Sequence, residues 1–494
     1  MEVVLPPLPN LIHLGPELLM TVLACGALIL HLFMPEDKAP VVGWISLGGL
    51  ALVALSCIPL WGVNTTIFSG HYGVDNFSVF FKLVIVAVTA LTIMISLQYL
   101  VVEQINLAEY YGLILFAATG MMILAGGTDL ITIYLGLELM SLSIYVLAAF
   151  IKRDPKSIEA GLKYFLLGAF TSGIVLYGMA LVYGMTGSTN LAQIAQYLSG
   201  QSEPSFPLVL AMILLITGFG FKVSLVPFHM WVPDVYEGAP TSVTAFMAAG
   251  TKAAGYAALV RIFMVALPLL ANQWTVLLWL LAVLTMTVGN IVAIAQKSVK
   301  RMLAYSSIAH AGYLLIGVVA ASDIGLVGVL FYMLAYVFMN IGAFAMIVLL
   351  CREGSRGDML EDFTGLARTH PFHAFAFIVF FMSFAGIPPT AGFVGKLYLF
   401  AAAIKANYIW LAVIGVVNSA ISVYYYFRVA SVMYMKEPTG ERVVSSSPAL
   451  HAALAFMAVV TVLLGLWPGP FIDGARSAVA ALSLTGVTPV AGLF

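Results

Sequence analysis

Long runs of apolar residues recur from one end of the chain to the other, separated by short polar stretches. Each run is close to the roughly 20 residues that an α-helix needs to cross a bilayer. We predict fourteen spans, at residues 15–33, 41–62, 76–98, 108–126, 129–151, 161–184, 207–236 (interrupted), 241–267, 273–295, 303–321, 325–350, 371–404 (interrupted), 407–435 and 449–467. The pattern is typical of an all-α polytopic membrane protein.

Composition points to the same class. Of the 494 residues, 62% are hydrophobic and 9% are charged, whereas a soluble domain has about 25% charged residues. The N-terminus has no basic segment before its first apolar run, so we expect no cleavable signal peptide. The tail after Trp467 is expected to be an interfacial or periplasmic end and to carry no chemistry.

Several kinds of site have no signal in the sequence. There is no GxxxxGK[ST] nucleotide loop, no strand-to-helix GxGxxG, no CxxC and no HExxH. Cys25, Cys57 and Cys351 lie in or beside apolar runs without paired spacing, which indicates small buried hydrophobes. We therefore predict no cofactor-binding site and no metal site in this chain.

Lysine and arginine are concentrated in alternate loops, and basic loops stay on the cytoplasmic side of a membrane. Twelve basic residues lie in one set of loops, against only Lys405 and Arg476 in the other set and the tail. The twelve are Lys38, Lys152, Arg153, Lys156, Lys297, Lys300, Arg301, Arg352, Arg356, Arg368, Lys436 and Arg442. Because the number of spans is even, both termini are expected outside, in the periplasm of a bacterium whose inner membrane holds the chain.

Seven basic residues remain inside predicted spans. Four lie nearer to span ends, and we expect their charged groups to reach the interface; these are Lys82, Lys163, Arg261 and Arg428. The other three, Lys222, Lys252 and Lys396, lie deeper, where a charge costs about 2.5–3.5 kcal/mol even on the mildest scale. Residues at such positions usually face the protein interior or a wet path.

Two spans combine helix breakers with one of these lysines. The first, TGFGFKVSLVPFHMWVPDVYEGAPT from Thr217, carries Lys222. The second, FMSFAGIPPTAGFVGKLYLF from Phe381, carries Lys396. The predicted breaks are at Pro227, Pro233, Pro388 and Pro389, because proline removes a helical hydrogen bond and clashes with the preceding turn. Ordinary proline kinks are the alternative interpretation.

Broken helices at corresponding places in two halves indicate an inverted-repeat transporter with its site near the midplane. The predicted domains are residues 1–107 (spans one to three), 108–267 (first repeat, spans four to eight), 273–435 (second, inverted repeat, spans nine to thirteen) and 449–494 (last span and tail).

Glu138 is the only carboxylate well inside an uninterrupted span. If Lys222 faces it, the ion pair lowers the cost of burying both charges. Movement of a neighbouring charge can then change whether the lysine is protonated. Such a lysine suits reversible proton transfer. The alternative is a core glutamate satisfied by a local partner.

Further candidate groups follow along the chain. Lys252 lies among small residues, and Lys396 would be the last relay of the second half. His229 and His310 can pass on protons near neutral pH, although each can equally be a structural hydrogen-bonding group. The hydroxyls beside His310, on Tyr305, Ser306 and Ser307, more often bond a helix carbonyl.

At PFHMWVPDVYEGAPTSVTAF, LAYSSIAHAGYLLIG and FAGIPPTAGFVGKLYLF the chain resembles the antiporter-like membrane subunits of respiratory complex I, which are shared with Mrp-type sodium/proton antiporters. The resemblance covers about Leu14 to Pro468. PDVYEG is the form of the branch called subunit N. A lysine at position 396 argues against the sister subunit M, and the short tail argues against subunit L.

The resemblance implies fourteen helices in two inverted five-helix repeats, with helices seven and twelve broken. It implies roles in proton translocation for Glu138, Lys222, Lys252 and Lys396, and a lesser role for Lys163. It also implies that NADH, FMN, iron–sulfur clusters and quinone are bound by other subunits, and that neighbouring antiporter-like subunits are the partners. This chain would then pump protons with energy from redox chemistry elsewhere.

Two other functions stay open at this point. An Mrp-type cation/proton antiporter subunit shares the fold, Glu138 and Lys222, and would depend on a sodium gradient. A non-pumping scaffold would keep proton transport when Lys222 or Glu138 is neutralised in an assembled complex.

Overall fold

The structure is a computed structural model that describes residues 8–33, 38–105, 107–352, 355–438 and 447–484. Within these residues, twelve helices are long and apolar enough to cross a membrane. Two further spans are interrupted and contribute shorter apolar helices. The prediction of an all-α polytopic membrane protein is therefore confirmed.

The helices up to the end of the first predicted repeat have these bounds: α1 (Leu8–His13), α2 (Gly15–Phe33), α3 (Ala39–Cys57), α4 (Asn76–Val102), α5 (Glu109–Gly126), α6 (Leu130–Ala148), α7 (Pro155–Thr186), α8 (Leu191–Ser199), α9 (Phe206–Lys222), α10 (Val232–Gly238), α11 (Thr241–Phe246) and α12 (Lys252–Val260). Two π-helical segments, Met247–Thr251 and Arg261–Ala266, join α11 to α12 and extend α12, so that the eighth span is continuous.

The remaining helices are α13 (Ala271–Ile294), α14 (Val299–Val319), α15 (Asp323–Leu350), α16 (Leu366–Thr369), α17 (Pro371–Ala385), α18 (Ala391–Lys405), α19 (Ile409–Met435), α20 (Pro448–Leu466) and α21 (Gly469–Leu484). Short 3₁₀ turns lie at Ile58–Leu60, Pro268–Leu270 and Leu360–Phe363. Strands β1 (Thr65–Ile67) and β2 (Tyr72–Val74) form an antiparallel hairpin between α3 and α4, with Thr65 opposite Val74.

Capping side chains mark where several spans begin. Asp75 accepts a hydrogen bond from the Ser78 amide at the start of α4, and Ser78 bonds back in a capping box. Asp129 accepts from the Ile131 amide at the start of α6. These side chains satisfy amides that have no partner within the helix, which matters most where the helix enters lipid.

The first break separates α9 from α10, and the protein itself satisfies the backbone groups that the break frees. The Trp231 indole donates to the Phe221 carbonyl over 3.0 Å, and the Val226 amide donates to the Thr285 hydroxyl over 3.0 Å. Pro233 lies in the first turn of α10, where proline is well tolerated. The break is therefore at Pro227, and Pro233 begins the second helix rather than interrupting one.

The second break separates α17 from α18 and includes Pro388 and Pro389. Gly386 ends α17 with φ of 79°, in the left-handed region that favours glycine. The Ser419 hydroxyl donates to the Ala385 carbonyl over 2.9 Å. Protein groups thus satisfy backbone atoms at both breaks, while Pro227, Pro388 and Pro389 themselves are exposed.

Two sequence-based expectations about charges are wrong. Lys82 and Arg261 do not reach the interface, because they are 0% and 1% exposed and form ion pairs with Glu17 and Asp75. Each carboxylate comes from a segment distant in sequence, so the pairing could not be seen in the local pattern.

The tail after Trp467 contains one further helix. Gly469–Leu484 is a helix, α21, that packs against α4 and α15. The Asn76 side chain donates to the Ser477 hydroxyl over 2.7 Å. The tail therefore belongs to the bundle.

Candidate functional site

Lys222 is the last residue of α9, at the edge of the first break, and is 2% exposed. Its Nζ donates to the Ser141 hydroxyl over 2.7 Å and to the Tyr145 hydroxyl over 3.5 Å, both on α6. Aromatic rings surround the ammonium group, and the ring centroid of Tyr164 is 6.0 Å away. Hydroxyls and ring faces thus stabilise a cation here without a contacting carboxylate.

Glu138 lies one helical turn before Ser141 on α6. Glu138 and Lys222 do not form a direct ion pair among the described residues. The Glu138 Oε1 atom is buried and has no hydrogen-bond partner in the part of the chain that the structure describes. Ser141, which contacts Lys222, thus places the lysine within one helical turn of the Glu138 position on α6.

Lys252 begins α12 directly after the first π-helical segment and is 1% exposed. Its Nζ donates to the carbonyl and the hydroxyl oxygen of Ser307, each over 2.5 Å. The ring centroid of Tyr336 is 5.5 Å from the same nitrogen. Ser307 belongs to α14, so this lysine connects the two predicted repeats.

His310 lies one turn after Ser307 on α14 and is 1% exposed. Its Nδ1 is 2.5 Å from the Tyr332 hydroxyl, and its Nε2 is 3.2 Å from the Tyr426 hydroxyl. The imidazole is therefore held between two hydroxyls, in the region between the second and third lysines.

Lys396 lies in α18, after the second break, and is 3% exposed. Its Nζ donates to the Phe384 carbonyl over 2.7 Å and to the Ser419 hydroxyl over 2.8 Å. The ring centroid of Tyr313 is 4.5 Å from the nitrogen. Lys396 thus binds a carbonyl at the end of α17 and holds the two halves of the broken span together.

Lys163 has a different environment from the three buried lysines. Its side chain is 40% exposed and pairs with Glu159 at 2.7 Å and Asp234 at 2.6 Å. Asp234 also pairs with Arg301 at 3.0 Å. This cluster lies at the end of the bundle where α10 meets the starts of α7 and α14.

His229 lies in the first break and is half-buried. Its Nδ1 has no hydrogen-bond partner within the described residues. The structure does not bring it into contact with the buried lysines there, so it stands apart from the row that Lys222, Lys252, His310 and Lys396 form.

Each of the three deep lysines, Lys222, Lys252 and Lys396, binds one serine that the sequence pattern did not pair with it. Ser141, Ser307 and Ser419 lie on α6, α14 and α19. The local signal was present for Ser141, which is three residues after Glu138 and so on the same helix face. Nothing local points to Ser419, because no ionisable residue lies within one turn of it on α19.

The row can hold and exchange protons. An amine accepts a proton and an ammonium group donates one, and imidazole and hydroxyls can do either. Lys222, Lys252 and Lys396 have no carboxylate ion-pair partner among the described residues. Within that part of the chain, no group of three or more His, Cys, Asp or Glu side chains is arranged to hold a metal ion.

Known proteins are similar to this chain in both sequence and fold. The family described as "NADH:quinone oxidoreductase/Mrp antiporter, TM" matches residues 127–422. NADH-quinone oxidoreductase subunit N of Trichlorobacter lovleyi is 49% identical over 473 residues, which cover 95% of this chain and 97% of that protein.

Solved structures extend the likeness. A chain of respiratory complex I from Thermus thermophilus superposes with a TM-score of 0.80 at 36% identity, covering 94% of this chain and 99% of that chain. A chain of the Mrp complex from a Dietzia species has a TM-score of 0.81 at 24% identity, covering 95% and 97% of the two chains. The second likeness shows a shared fold alone.

Proposed function

Because the chain belongs to the NADH:quinone oxidoreductase/Mrp antiporter transmembrane family, we propose that it translocates protons as a membrane-arm subunit of an NADH:quinone oxidoreductase. The observation that carries this proposal is the row of three buried lysines. Each lies within a membrane span, each is bonded to a serine hydroxyl, and none has a carboxylate ion-pair partner in the described residues.

In this proposal Lys222, Lys252 and Lys396 hold the protons that are transported. A buried ammonium group without a counter-charge is costly, so each lysine can release its proton when a neighbouring charge changes. Glu138 controls Lys222, because a nearby negative charge favours the protonated amine. After Lys222 has released its proton, Lys252 can exchange a proton in turn. Ser307 and His310 then connect Lys252 to Lys396, which exchanges last.

Lys163 and His229 have access roles in this proposal. The Lys163–Asp234–Arg301 cluster lies on the predicted cytoplasmic side and can pass protons toward the first break. His229 supplies a second exchangeable group within that break. These two residues contribute less than the buried row, because one is exposed and the other stands apart from the lysines.

The rest of the assignment follows from the same role. NADH, FMN, the iron–sulfur clusters and quinone are bound by other subunits, and this chain is the proton-carrying part of the translocating enzyme. Its partners are neighbouring antiporter-like membrane subunits. It lies in the inner membrane of a bacterium with both termini in the periplasm, and the two inverted repeats, 108–267 and 273–435, each contribute a half-channel.

The test is Lys222→Ala in the assembled complex in membrane vesicles, with NADH:quinone turnover and proton uptake measured together. We expect both to fall by at least about tenfold, because removing a proton-transfer group typically costs that much or more and a stalled proton step blocks the coupled redox step. Lys405→Ala is the matched control, since Lys405 is an exposed lysine at the end of α18, and it should leave both rates unchanged.

Other results identify other functions. Full turnover and full proton uptake in an intact Lys222→Ala complex would make the chain a scaffold. Transport that follows a sodium gradient and ignores NADH would make it an Mrp-type antiporter subunit. Turnover without pumping would mean that the chain carries protons with loose coupling to redox chemistry.

A further inference from the structure

Three aromatic rings surround the ammonium group of Lys222, and we call them the aromatic box. The ring centroids of Tyr145, Phe221 and Tyr164 lie 5.6, 5.8 and 6.0 Å from the lysine Nζ. None of the three residues is more than 6% exposed. Rings at about this distance attract an ammonium group, and the attraction is stronger where water is excluded. Because the rings belong to α6, α7 and α9, their arrangement depends on how these helices pack.

Trp231 lies behind this box, on the other side of the first break. It directly precedes α10 and is 1% exposed. Its indole ring stacks on the Tyr164 ring, with 4.4 Å between the centroids and an interplanar angle of 13°. The Phe221 ring lies 5.3 Å away at an angle of 31°. Trp231 therefore supports two of the three rings of the aromatic box.

A hydrogen bond fixes the orientation of this indole. Its Nε1 donates to the Phe221 carbonyl over 3.0 Å, and the same carbonyl accepts from the Ser224 amide over 3.2 Å. Carbonyls in the last turn of a helix have no donor within the helix. Phe221 is the residue immediately before Lys222, so Trp231 holds both the backbone and the ring of the lysine's neighbour.

The short helix that follows Trp231 is anchored at its other end. Glu237 of α10 pairs with Lys156 of α7 at 2.9 Å and with Arg301 of α14 at 2.6 Å. Gly238 lets α10 approach α7 closely, because a Cβ there would clash with the Lys156 carbonyl oxygen. Trp231 thus belongs to an element that is held by two neighbouring helices.

The aromatic box bears on proton transfer because the lysine side chain is long and flexible. Rings on several sides restrict its conformations and keep Nζ near the Ser141 hydroxyl, 2.7 Å away. Transfer depends steeply on such geometry, since a displacement of about 1 Å can cost on the order of 10²-fold in rate. A residue that holds the rings therefore influences the rate without handling the proton.

We propose that Trp231 is a positioning residue for proton transfer at Lys222. Its ring, stacked against Tyr164 and Phe221, keeps the aromatic box closed and the ammonium group within hydrogen-bond distance of Ser141. The indole accepts no proton itself, because its nitrogen is a donor only. This inference rests on the proposed function, since the transfer that Trp231 assists is the one assigned to Lys222.

The test compares Trp231→Leu with Trp231→Phe in the assembled complex in membrane vesicles. Proton pumping is measured per assembled complex, and assembly is followed on native gels. We expect Trp231→Leu to lower pumping at least about tenfold through misplacement of the lysine. Trp231→Phe keeps a ring that can stack on Tyr164 and should pump several-fold faster than Trp231→Leu.

Trp274→Leu is the matched control. Trp274 is also 1% exposed, and its Nε1 also donates to a backbone carbonyl, that of Leu267, over 3.1 Å. Its ring packs against Phe263 rather than against the aromatic box. Loss of this buried ring destabilises the chain in the same way, but pumping per assembled complex should stay at the parent rate.

A double variant shows whether Trp231 acts through the lysine. Lys222→Ala/Trp231→Leu should pump at the same rate as Lys222→Ala alone, because a positioning residue has no effect once the group that it positions is gone. Two independent effects would instead multiply, and the double variant would then lose at least about a further tenfold.

Several results would overturn the proposal. They are parent-rate pumping by Trp231→Leu, equal losses in Trp231→Leu and Trp231→Phe, an equal loss in Trp274→Leu, and a further loss in the double variant. Failure of Trp231→Leu to assemble would overturn it too, since Trp231 would then hold the fold rather than the lysine. If Lys222→Ala abolishes pumping while Trp231→Leu pumps normally, only this inference fails. If Lys222→Ala pumps normally, the proposed function itself fails.

Discussion

At the scale of single residues, the three deep lysines share one arrangement. Each Nζ lies 2.5–2.8 Å from a serine hydroxyl that belongs to a different helix, and an aromatic ring lies nearby in each case. A hydroxyl can accept from the ammonium form and donate to the amine. As arranged, Ser141 and Ser419 donate their only protons to the carbonyls of Leu137 and Ala385, so they accept from the ammonium form and stabilise the protonated lysine.

Ser141→Ala tests this arrangement at the first lysine. A hydrogen bond to a charged group contributes about 1.5–3 kcal/mol, so we expect NADH-driven pumping to fall several-fold while assembly is kept. Ser143→Ala is the matched control on the same helix, because its hydroxyl bonds only the Leu139 carbonyl in the described residues. Equal pumping by the two variants would show that the Ser141–Lys222 contact has no role in transfer.

At the scale of secondary-structure elements, the two breaks place their lysines differently. Lys222 ends the helix before the first break, whereas Lys396 lies in the helix after the second break and bonds back to Phe384. Gly386 makes this return contact feasible, because a Cβ there would lie 2.9 Å from Lys396 Cδ. The glycine is therefore required both by its φ of 79° and by the lysine that crosses it.

Gly386→Ala should impair the complex more than backbone strain alone would. A left-handed conformation costs a non-glycine residue about 1–2 kcal/mol, and displacement of Lys396 adds a loss of pumping. Gly187→Ala is the control, since Gly187 ends α7 at φ of 70° and a Cβ there would meet no atom within 4 Å. The thermal stability of the membrane-bound complex and its pumping rate would be measured for both variants. A pumping loss of the same size in both would contradict the contact argument.

At the scale of the whole molecule, buried charges join parts of the chain that the sequence separates. The Asp75–Arg261 clamp ties the start of the third span to the end of the eighth. The Glu17–Lys82 pair ties the first span to the third. The helices before residue 108 are thus fastened to the predicted first repeat by charge as well as by apolar packing.

Asp75→Asn should destabilise this junction strongly. Breaking a buried pair leaves the Arg261 charge uncompensated, which costs about 3–5 kcal/mol, so the amount of assembled complex and its thermal stability should drop. Burial acts to raise the pKa of Asp75, but Arg261 and the Ser78 hydrogen bonds outweigh it, so that this pKa is lowered in the folded chain. The stabilisation is therefore present at neutral pH and is lost as the pH falls through that lowered pKa.

Asp473→Asn is the comparison for this prediction. It breaks the exposed Arg476–Asp473 pair, and exposed pairs contribute about 1 kcal/mol or less. Similar stability for the two variants would show that the Asp75–Arg261 clamp does not hold the N-terminal helices in place.

Much of the fold was determined by the sequence alone. Apolar length predicted the spans because the bilayer sets it, and Pro227, Pro388 and Pro389 predicted the interruptions because proline cannot continue a helix. The depth of Lys222, Lys252 and Lys396 along their spans identified them as candidate functional residues, because a charge deep in the bilayer is costly. The proton-carrying roles of these lysines, of Glu138 and of His310 remain predictions.

Only the tertiary structure decided which partner each charge has. Lys82 and Arg261 look like interfacial residues in sequence, and they are buried because Glu17 and Asp75 reach them from other elements. In the same way Lys222 contacts Ser141 rather than Glu138, and Lys396 contacts Ser419. Periodicity and helix breakers act through the neighbouring residues of one segment, so they can be read from the chain. The partner of a buried charge depends on how distant helices pack, and no local pattern contains that information.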